Sequence, residues 1–583
     1  MPVVGTAGHV DHGKSTLIQN ITGRNPDRWA EERERGLTID LGFGWVTLPD
    51  GTEVSFVDVP GHEKFLKNML AGIEAIDVAL FVVAADEGWM PQSEEHLAVL
   101  DLLEIDRGVV AVTKADSVEP DLLELALAET AEQLKGTHLE AAPVMAVSGV
   151  TGQGVPELLK ALAATLPAPP EGDRPRLWID RSFAVPGAGT IVTGTLQDGS
   201  LSVDDRVVIY PAGRSARIRG IQSHERAHDT VGPGRRVALN LGGVDHDQIE
   251  RGDMVGLDDQ WVATDRFAVV VRPARFVDEL SQRGAYQLHI GSSAHRVYIR
   301  GLEEGYAVFQ TDRAMPLAVG DRFILRDTGR KLVVGGGRIL DPSPGRTRRA
   351  LRSAARIDPT SSPNELASAL LALRGRDTLT RLAAQSGGGK PQETVIVGDE
   401  AVTRTRFDEL TARSVELIRE EHGRHPLRPG LPLATLAERI GVSSSTLAAM
   451  VDESVDLVRH GPDIAAEDHV PRLTAEQEEA WRGARGRLAE SLSVPVESEL
   501  GLETDLVAFK IRTGELVRVS PELVYLPEQI GEIKTLLNAI DGEFTVADFR
   551  DHAGLTRKYA VPVLEWTDKE GLTVRRGDVR RLR

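Results

Sequence analysis

Eight residues near the start of the chain limit its fold more than any other feature. Gly8-His-Val-Asp-His-Gly13-Lys14-Ser15 has the spacing G-x-x-x-x-G-K-[ST]. The glycines let the backbone turn its N–H groups around a polyphosphate, and the dipole of a following helix favours the same negative charge. The arrangement works only where a strand enters the loop and a helix leaves it. Val3-Val4 supplies an apolar strand start, and Thr16 to Ile21 supplies a helical pattern. On this spacing Lys14 reaches the β- and γ-phosphates and Ser15 ligates Mg²⁺. Gly8, Asp11, His12, Gly13 and Thr16 complete the predicted cradle. The alternative is a chance Gly-rich turn, which the position and context disfavour.

The pattern after the loop extends the argument. Apolar runs at Val54 to Val57, Val78 to Ala84, Gly108 to Thr113 and Pro143 to Val147 alternate with helical patterns at Glu94 to Leu103 and Asp121 to Leu134. Such alternation predicts a parallel sheet covered on both faces. Asp58-Val-Pro-Gly61 follows one of these strands, so that Asp58 can hold the Mg²⁺ shell and the Gly61 N–H can meet the γ-phosphate. Thr38 lies between the loop and Asp58, where a switch threonine closes on Mg²⁺. Thr113-Lys114-Ala115-Asp116 follows another strand. The Asp116 carboxylate there can accept two hydrogen bonds from guanine N1–H and its 2-amino group, which adenine lacks. Taken singly, Thr38 reads as a surface threonine and Asp116 as a helix cap. Four pieces in this order predict a guanine-nucleotide site.

Leu166 to Asp173 is a linker by composition. From about 174 to 342, short β-rich runs separated by Gly, Asp and Pro turns predict two antiparallel barrels. After Pro344, amphipathic helical pieces followed by β-hairpin patterns recur at roughly 60 residues, as stacked winged helices do. The resulting division is 1–170, 171–258, 259–345, 346–410, 411–466, 467–525 and 526–583. The 583-residue chain has no cysteine, which excludes a disulfide framework, a thiol nucleophile and a Cys-ligated metal. It has no run of 18 apolar residues and no signal-peptide layout, so a cytoplasmic location is expected. A net charge of −20 argues against a chain that coats nucleic acid along its length, but leaves room for a local basic site.

GHVDHGKS, RERGLTID, DVPGH and AADEGWMPQSEEHL resemble the translational GTPases of the elongation factor Tu class. The detailed match is closer to the selenocysteine-specific, SelB-type elongation factors. The resemblance implies an α/β P-loop GTPase domain, two antiparallel β-barrels and tandem α+β winged-helix domains, with GTP/GDP and Mg²⁺ as cofactors. It implies that His62 orients the attacking water, that Val10 and Leu37 form an apolar gate beside it, and that Ser148 lies in the loop packed on the guanine base. A surface histidine without a role is the bland alternative for His62. One departure is visible. Guanine readers usually have Asn-Lys-x-Asp, whereas this chain has Thr113, Lys114 and Asp116. One hydroxyl remains for the work of the asparagine, so GTP selection is expected to survive with faster exchange.

The resemblance also implies an amino-acid pocket built on Asp180, Arg181 and Arg236. A selenol ionises more readily than a thiol, so a pocket of fixed positive charge prefers selenocysteine to neutral serine, where apolar packing cannot separate near-isosteres. Arginine suits this because it stays protonated. An ordinary solvated ion pair is the alternative for Asp180 and Arg181.

At the other end, residues 571–583 hold five arginines and one aspartate around a Gly577-Asp578 turn signal. Thr556 is a predicted N-cap for a helix running towards Glu565, with a kink or late start at Pro562. Arg557 and Lys558 at the helix start, beside Arg575, Arg576, Arg580 and Arg581 on the wing, predict one compact phosphate-binding face. A solvated basic tail is the alternative. The family implies that this module binds the selenocysteine insertion hairpin of the messenger RNA. The expected protein is a monomeric GTPase that carries selenocysteyl-tRNA to the ribosome at recoded UGA codons. A general elongation or initiation GTPase, or a GTP-switched winged-helix regulator, remains the alternative. The roughly 240 residues after the barrels oppose the first and the overall acidity opposes the second.

Overall fold

The computed structural model describes residues 1–24, 42–48, 50–59, 76–168, 172–345 and 348–583. They form two compact units, Met1–Thr403 and Arg404–Arg583.

The first unit opens with strand β1 (Val3–Gly8) and helix α1 (Lys14–Thr22). There follow β2 (Gly42–Thr47), β3 (Glu53–Asp58), β4 (Val78–Ala84), α2 (Pro91–Leu102), β5 (Gly108–Thr113), α3 (Pro120–Leu134), β6 (Val144–Ala146) and α4 (Val155–Thr165). The sheet order is β2-β3-β1-β4-β5-β6. Only β2 runs antiparallel to its neighbour. Every residue of β1, β4 and β5 is buried, as a strand covered on both faces requires. Leu17, Ile18, Leu158 and Leu162 pack on one face. On the other, Leu97, Leu100 and Phe81 share a core with Ala274, Ile324 and Val333 of the second barrel. Each of these leucine, isoleucine, valine and phenylalanine side chains contributes about 1.5–3 kcal/mol. Helices α2 and α3 begin on proline, whose missing N–H costs nothing at a first helical position.

Both predicted barrels close. In the first, strands 206–210, 254–257, 176–178, 189–196, 235–242 and 214–223 follow one another, and 214–223 pairs back with 206–210. Arg181–Val185 pairs with 189–196 off this ring. After an exposed Gly189, the strand 189–196 alternates buried and half-buried residues, the period-two signature of a barrel wall. The second barrel closes through 263–273, 306–316, 293–303, 286–290, 322–327 and 332–341. The first winged module, reaching Thr403, is bound to it by Arg374, which pairs with Asp341 and Asp377 at 2.5 Å each.

The second unit contains three further modules with sheets 431–432/463–466/457–460, 517–518/524–525 and 543–545/579–582/573–576. Its first helix is Arg404–Arg424. The boundary expected at 410/411 therefore falls inside a helix, and the break lies between Thr403 and Arg404. Amphipathic helices recur because each module buries one face: Ile418, Leu436 and Leu447 in the first of the three, and Val507, Tyr525, Phe544 and Val563 in the joint core of the last two.

Candidate nucleotide site, amino-acid pocket and basic wing

The loop between β1 and α1 is held from within. The φ of Gly8 is +131°, and a Cβ there meets the Val82 carbonyl oxygen at 2.0 Å, so only glycine fits. Gly13 caps α1 in the left-handed region with no side-chain cap, which leaves the helix N–H groups to an anion. Lys14 is buried and donates through Nζ to the carbonyls of Gly8 at 3.0 Å and His9 at 2.6 Å. Burial pushes its ammonium down to about 8, against the pull of Asp58 and Asp11. Ser15 Oγ donates to Asp58 Oδ2 at 2.7 Å, and Thr6 Oγ1 donates to Asp58 Oδ1 at 2.7 Å. His12 is buried and held down to about 4 by its burial and then by His9. Asp11 and Thr16 are exposed, and Val10 is half-buried.

The base loops converge on the same edge. Thr113 Oγ1 donates to the His12 carbonyl at 2.6 Å, so this hydroxyl ties the base loop to the phosphate loop. Ala115 N–H donates to the Val147 carbonyl at 3.2 Å and brings the Asp116 and Ser148 loops together. Ser148 is buried, and its Oγ accepts from the N–H of Thr151 at 3.0 Å. Lys114 pairs with Asp86 at 2.9 Å and Glu87 at 3.0 Å, whereas Asp116 is exposed. Leu37, Thr38, Gly61 and His62 lie outside the described residues.

Asp180, Thr193 and Arg236 come from three segments of the first barrel. Arg236 grips Asp180 through both terminal nitrogens, Nη1 to Oδ2 and Nη2 to Oδ1, the latter at 3.0 Å. Thr193 Oγ1 donates to Asp180 Oδ1 at 2.6 Å. The ring of Phe43, on β2, lies 3.8 Å from the Arg236 guanidinium carbon. Phe43, Thr193 and Arg236, with Arg24, Arg181, Trp45, His224 and Glu225, line a cavity of about 500 Å³, and Asp180 stands behind Arg236. Trp45 stacks on His224 with ring centroids 4.6 Å apart, and Arg24 lies over the Trp45 ring at 3.8 Å.

In the last module, strands Thr573–Arg576 and Val579–Leu582 join at Gly577-Asp578, and the helix spans Arg557–Lys569 with Pro562 inside it, so it does not start late. Arg557, Lys558, Arg575, Arg576 and Arg581 are exposed. Arg580 departs from the expected face. Its side chain is 2% exposed and pairs with Asp568 at 2.9 Å. The alternation of the strand turns Arg580 inward and Arg581 outward, so Arg580 holds the module together instead of facing an RNA.

Comparisons with known proteins agree along the whole chain. Residues 1–168 match the elongation factor Tu GTP-binding domain, and 189–256 match elongation factor Tu domain 2. Residues 264–346 match the β-barrel domain of selenocysteine-specific elongation factors, and 535–582 match the SelB winged helix. The selenocysteine-specific elongation factor of Desulfomicrobium baculatum is 34% identical with all of both chains covered. That of Escherichia coli K12 is 31% identical, covering 100% of this chain and 98% of its own. The chain belongs to the selenocysteine-specific elongation factor family. A crystal structure of a bacterial selenocysteine-specific elongation factor superposes with a TM-score of 0.75 at 26% identity over 100% of both chains.

As a member of this family, the protein is a translational GTPase that uses GTP, GDP and Mg²⁺. The residues present fit that set. Ser15 and Asp58 offer one hydroxyl and one carboxylate 2.7 Å apart, the oxygen donors that Mg²⁺ takes together with phosphate and water. Among the described residues no group of three or more His, Cys, Asp or Glu forms a dedicated metal cage. Mg²⁺ bound with the nucleotide would supply charge neutralisation at the phosphates, and Ser15 and Asp58 would hold it. Lys14 keeps a buried ammonium against the loop carbonyls, Asp58 accepts from the Ser15 hydroxyl, and the start of α1 carries no side-chain cap.

Reasoning from sequence missed Thr193 and Phe43. Thr193 carried no signal, because only its strand neighbours give it a role. Phe43 stands four residues after Ile39 on a short strand, where an aromatic reads as ordinary core. Among the described residues no helix is long and apolar enough to cross a membrane.

Proposed function

We propose that this GTPase carries selenocysteyl-tRNA to the ribosome at UGA codons marked by an insertion hairpin in the message. The observation that carries the reading is the Arg236 guanidinium, fixed by Asp180 and Thr193 under Phe43 at the wall of a cavity that also holds Arg181. Arg24, Arg181 and Arg236, set against Glu225 in the lining and Asp180 bonded to Arg236, leave the pocket with one positive charge in excess. A selenolate gains from that charge and a neutral seryl hydroxyl does not. Asp180 keeps the guanidinium in one orientation, so little ordering remains for the moment of binding.

In this reading Asp116 and Ser148 select guanine, and Thr113 keeps the phosphate loop in register with the base loop. Thr38 joins Ser15 and Asp58 around Mg²⁺, and the Gly61 N–H meets the γ-phosphate. Hydrolysis waits until the ribosome brings His62 past Val10 and Leu37 to the attacking water. The exposed cations Arg557, Lys558, Arg575, Arg576 and Arg581 hold the message hairpin by its backbone. This tether raises the local concentration of the carrier at marked codons. The protein works as a monomer in the cytoplasm.

Reconstituted translation of a message with an internal UGA tests the reading. Readthrough with selenocysteine is expected only when selenocysteyl-tRNA, GTP and a downstream hairpin are all present. Equal readthrough without the hairpin, or with seryl-tRNA in place of selenocysteyl-tRNA, would overturn it.

A further inference from the structure

We propose that the space between the second barrel and the first winged module is a binding site for a small phosphate monoester, such as a nucleoside monophosphate. Both walls belong to the first compact unit. The cavity between them is about 810 Å³, within the range that holds metabolite-sized ligands. One wall is the end of the strand Leu332–Asp341 and the turn after it, which bring Asp341 and Ser343. The other wall is helical. The turn that ends Arg348–Ala354 brings Ser353 and Arg356, and the helix Pro363–Arg374 brings Ala369, Ala372 and Arg374.

The two arginines of the cavity are not equivalent. Arg374 is answered by two carboxylates, Asp341 and Asp377, so it fastens the walls to each other and has no charge to spare. Arg356 is exposed, and its guanidinium meets no carboxylate among the described residues. The acidic residue beside it in the chain, Asp358, accepts instead from the N–H and hydroxyl of Thr360 at 2.9 and 2.6 Å. Ser343 Oγ accepts from the fully buried Gln385 at 2.8 Å, which leaves its own proton for a further acceptor. The Arg356 N–H donates to the Ser353 carbonyl at 3.1 Å, so one turn carries the Ser353 hydroxyl and the Arg356 guanidinium to the same space.

One free guanidinium and two hydroxyls suit the several oxygens of a phosphate better than the two of a carboxylate. A single free cation matches a monoester and leaves the added charge of a di- or triphosphate unanswered. Ile357, Ala369, Ala372 and Leu373 give the uncharged body of the ligand an aliphatic surface to cover. A ligand bonded to Ser343 on one wall and Arg356 on the other ties the winged module to the barrel. The site shares no residue with the nucleotide loop or the amino-acid pocket and stands or falls independently of the amino acid carried.

Calorimetric titration of the full chain, with GDP saturating the nucleotide loop, tests the proposal. The probes are UMP, UTP and a uridine hexanucleotide. UMP is expected to bind with a Kd on the order of 100 μM, and UTP no more tightly. Arg356→Ala is expected to weaken UMP at least about tenfold with GDP affinity unchanged. Ala372→Trp, which fills the aliphatic side, is expected to weaken UMP about tenfold as well. If Arg356→Ala fails to fold by circular dichroism, Arg356→Gln carries the test. No binding of UMP up to about 10 mM, or unchanged binding in the folded Arg356 variant, would overturn the site. Tighter binding of UTP than of UMP would overturn the monoester assignment. Tighter binding of the hexanucleotide than of UMP would also overturn it, giving Arg356 to an RNA backbone.

Discussion

The phosphate loop and the terminal wing both place cations beside a tight turn, and they use them in opposite ways. Lys14 is buried, bonded to two loop carbonyls and shifted down by its burial. Arg576 and Arg581 stand in solvent. A buried ammonium acts at short range through low dielectric, so its effect is large and hardly screened. Exposed guanidinium groups act additively, each weakly, and salt erodes them. Arg580 makes the contrast within the wing itself, being buried against Asp568 while its neighbour Arg581 is exposed. Position on the strand, rather than residue type, separates a structural cation from a binding one.

The comparison can be broken most easily at its strongest point. Lys14→Ala is expected to weaken GTP binding at least about 100-fold, read by titration of a fluorescent GTP analogue. Nearly equal affinity would show that the buried cation does not face the phosphates. Within the wing, Arg580→Ala is expected to cost about 2–3 kcal/mol of stability in urea, because it strands the Asp568 carboxylate. Arg576→Ala is expected to stay within about 0.5 kcal/mol in the same measurement. A reversal of that order would exchange their roles.

Acid should also act on the nucleotide site first. The folded values of His12 and His96, about 4 and about 3, lie below the ordinary histidine value, so the unfolded chain binds more protons between these limits. The stability of the nucleotide-free protein therefore falls as pH drops through 6.5 towards 4 and 3, by on the order of a few kcal/mol. Thermal melts between pH 7 and pH 4 check this, with His96→Asn expected to flatten the slope. A melt temperature independent of pH in wild type would contradict the burial of both rings.

Smaller effects sharpen the comparison. Thr113→Ala removes the bond to the His12 carbonyl and is expected to speed GDP release about fivefold. Arg576→Ala and Arg581→Ala are each expected to lower hairpin affinity about threefold to tenfold and to reduce the salt slope by about one ion. Loss of affinity without a change in slope would mean that these arginines read bases instead of phosphates.

The same contrast explains what could be read in advance. The phosphate loop is contiguous, and its work is done by backbone groups whose placement follows from Gly8 and Gly13, so spacing alone exposes it. The alternation of apolar strands and helices, then of strands alone, likewise carries the GTPase domain and both barrels. The pocket is different. Asp180, Thr193 and Arg236 meet only because barrel strands lie side by side, and Phe43 meets them from another domain. No periodicity along the chain encodes that meeting. The inward turn of Arg580 was encoded, since alternate residues of a strand face opposite ways, but a count of positive charge overlooks it. The helix through Pro562 shows tertiary packing overriding a local signal: Ala560, Val563 and Leu564 are buried on both sides of the proline.

The central claim is that charge in the Asp180–Arg181–Arg236 pocket chooses the amino acid. Its most direct test is the affinity for selenocysteyl-tRNA against seryl-tRNA on the same tRNA body, with a non-hydrolysable GTP analogue, for wild type and Arg236→Ala. The account predicts a large preference for selenocysteine in wild type and its loss in the variant. Equal affinity for both tRNAs in wild type, or a preference that survives Arg236→Ala, would contradict it.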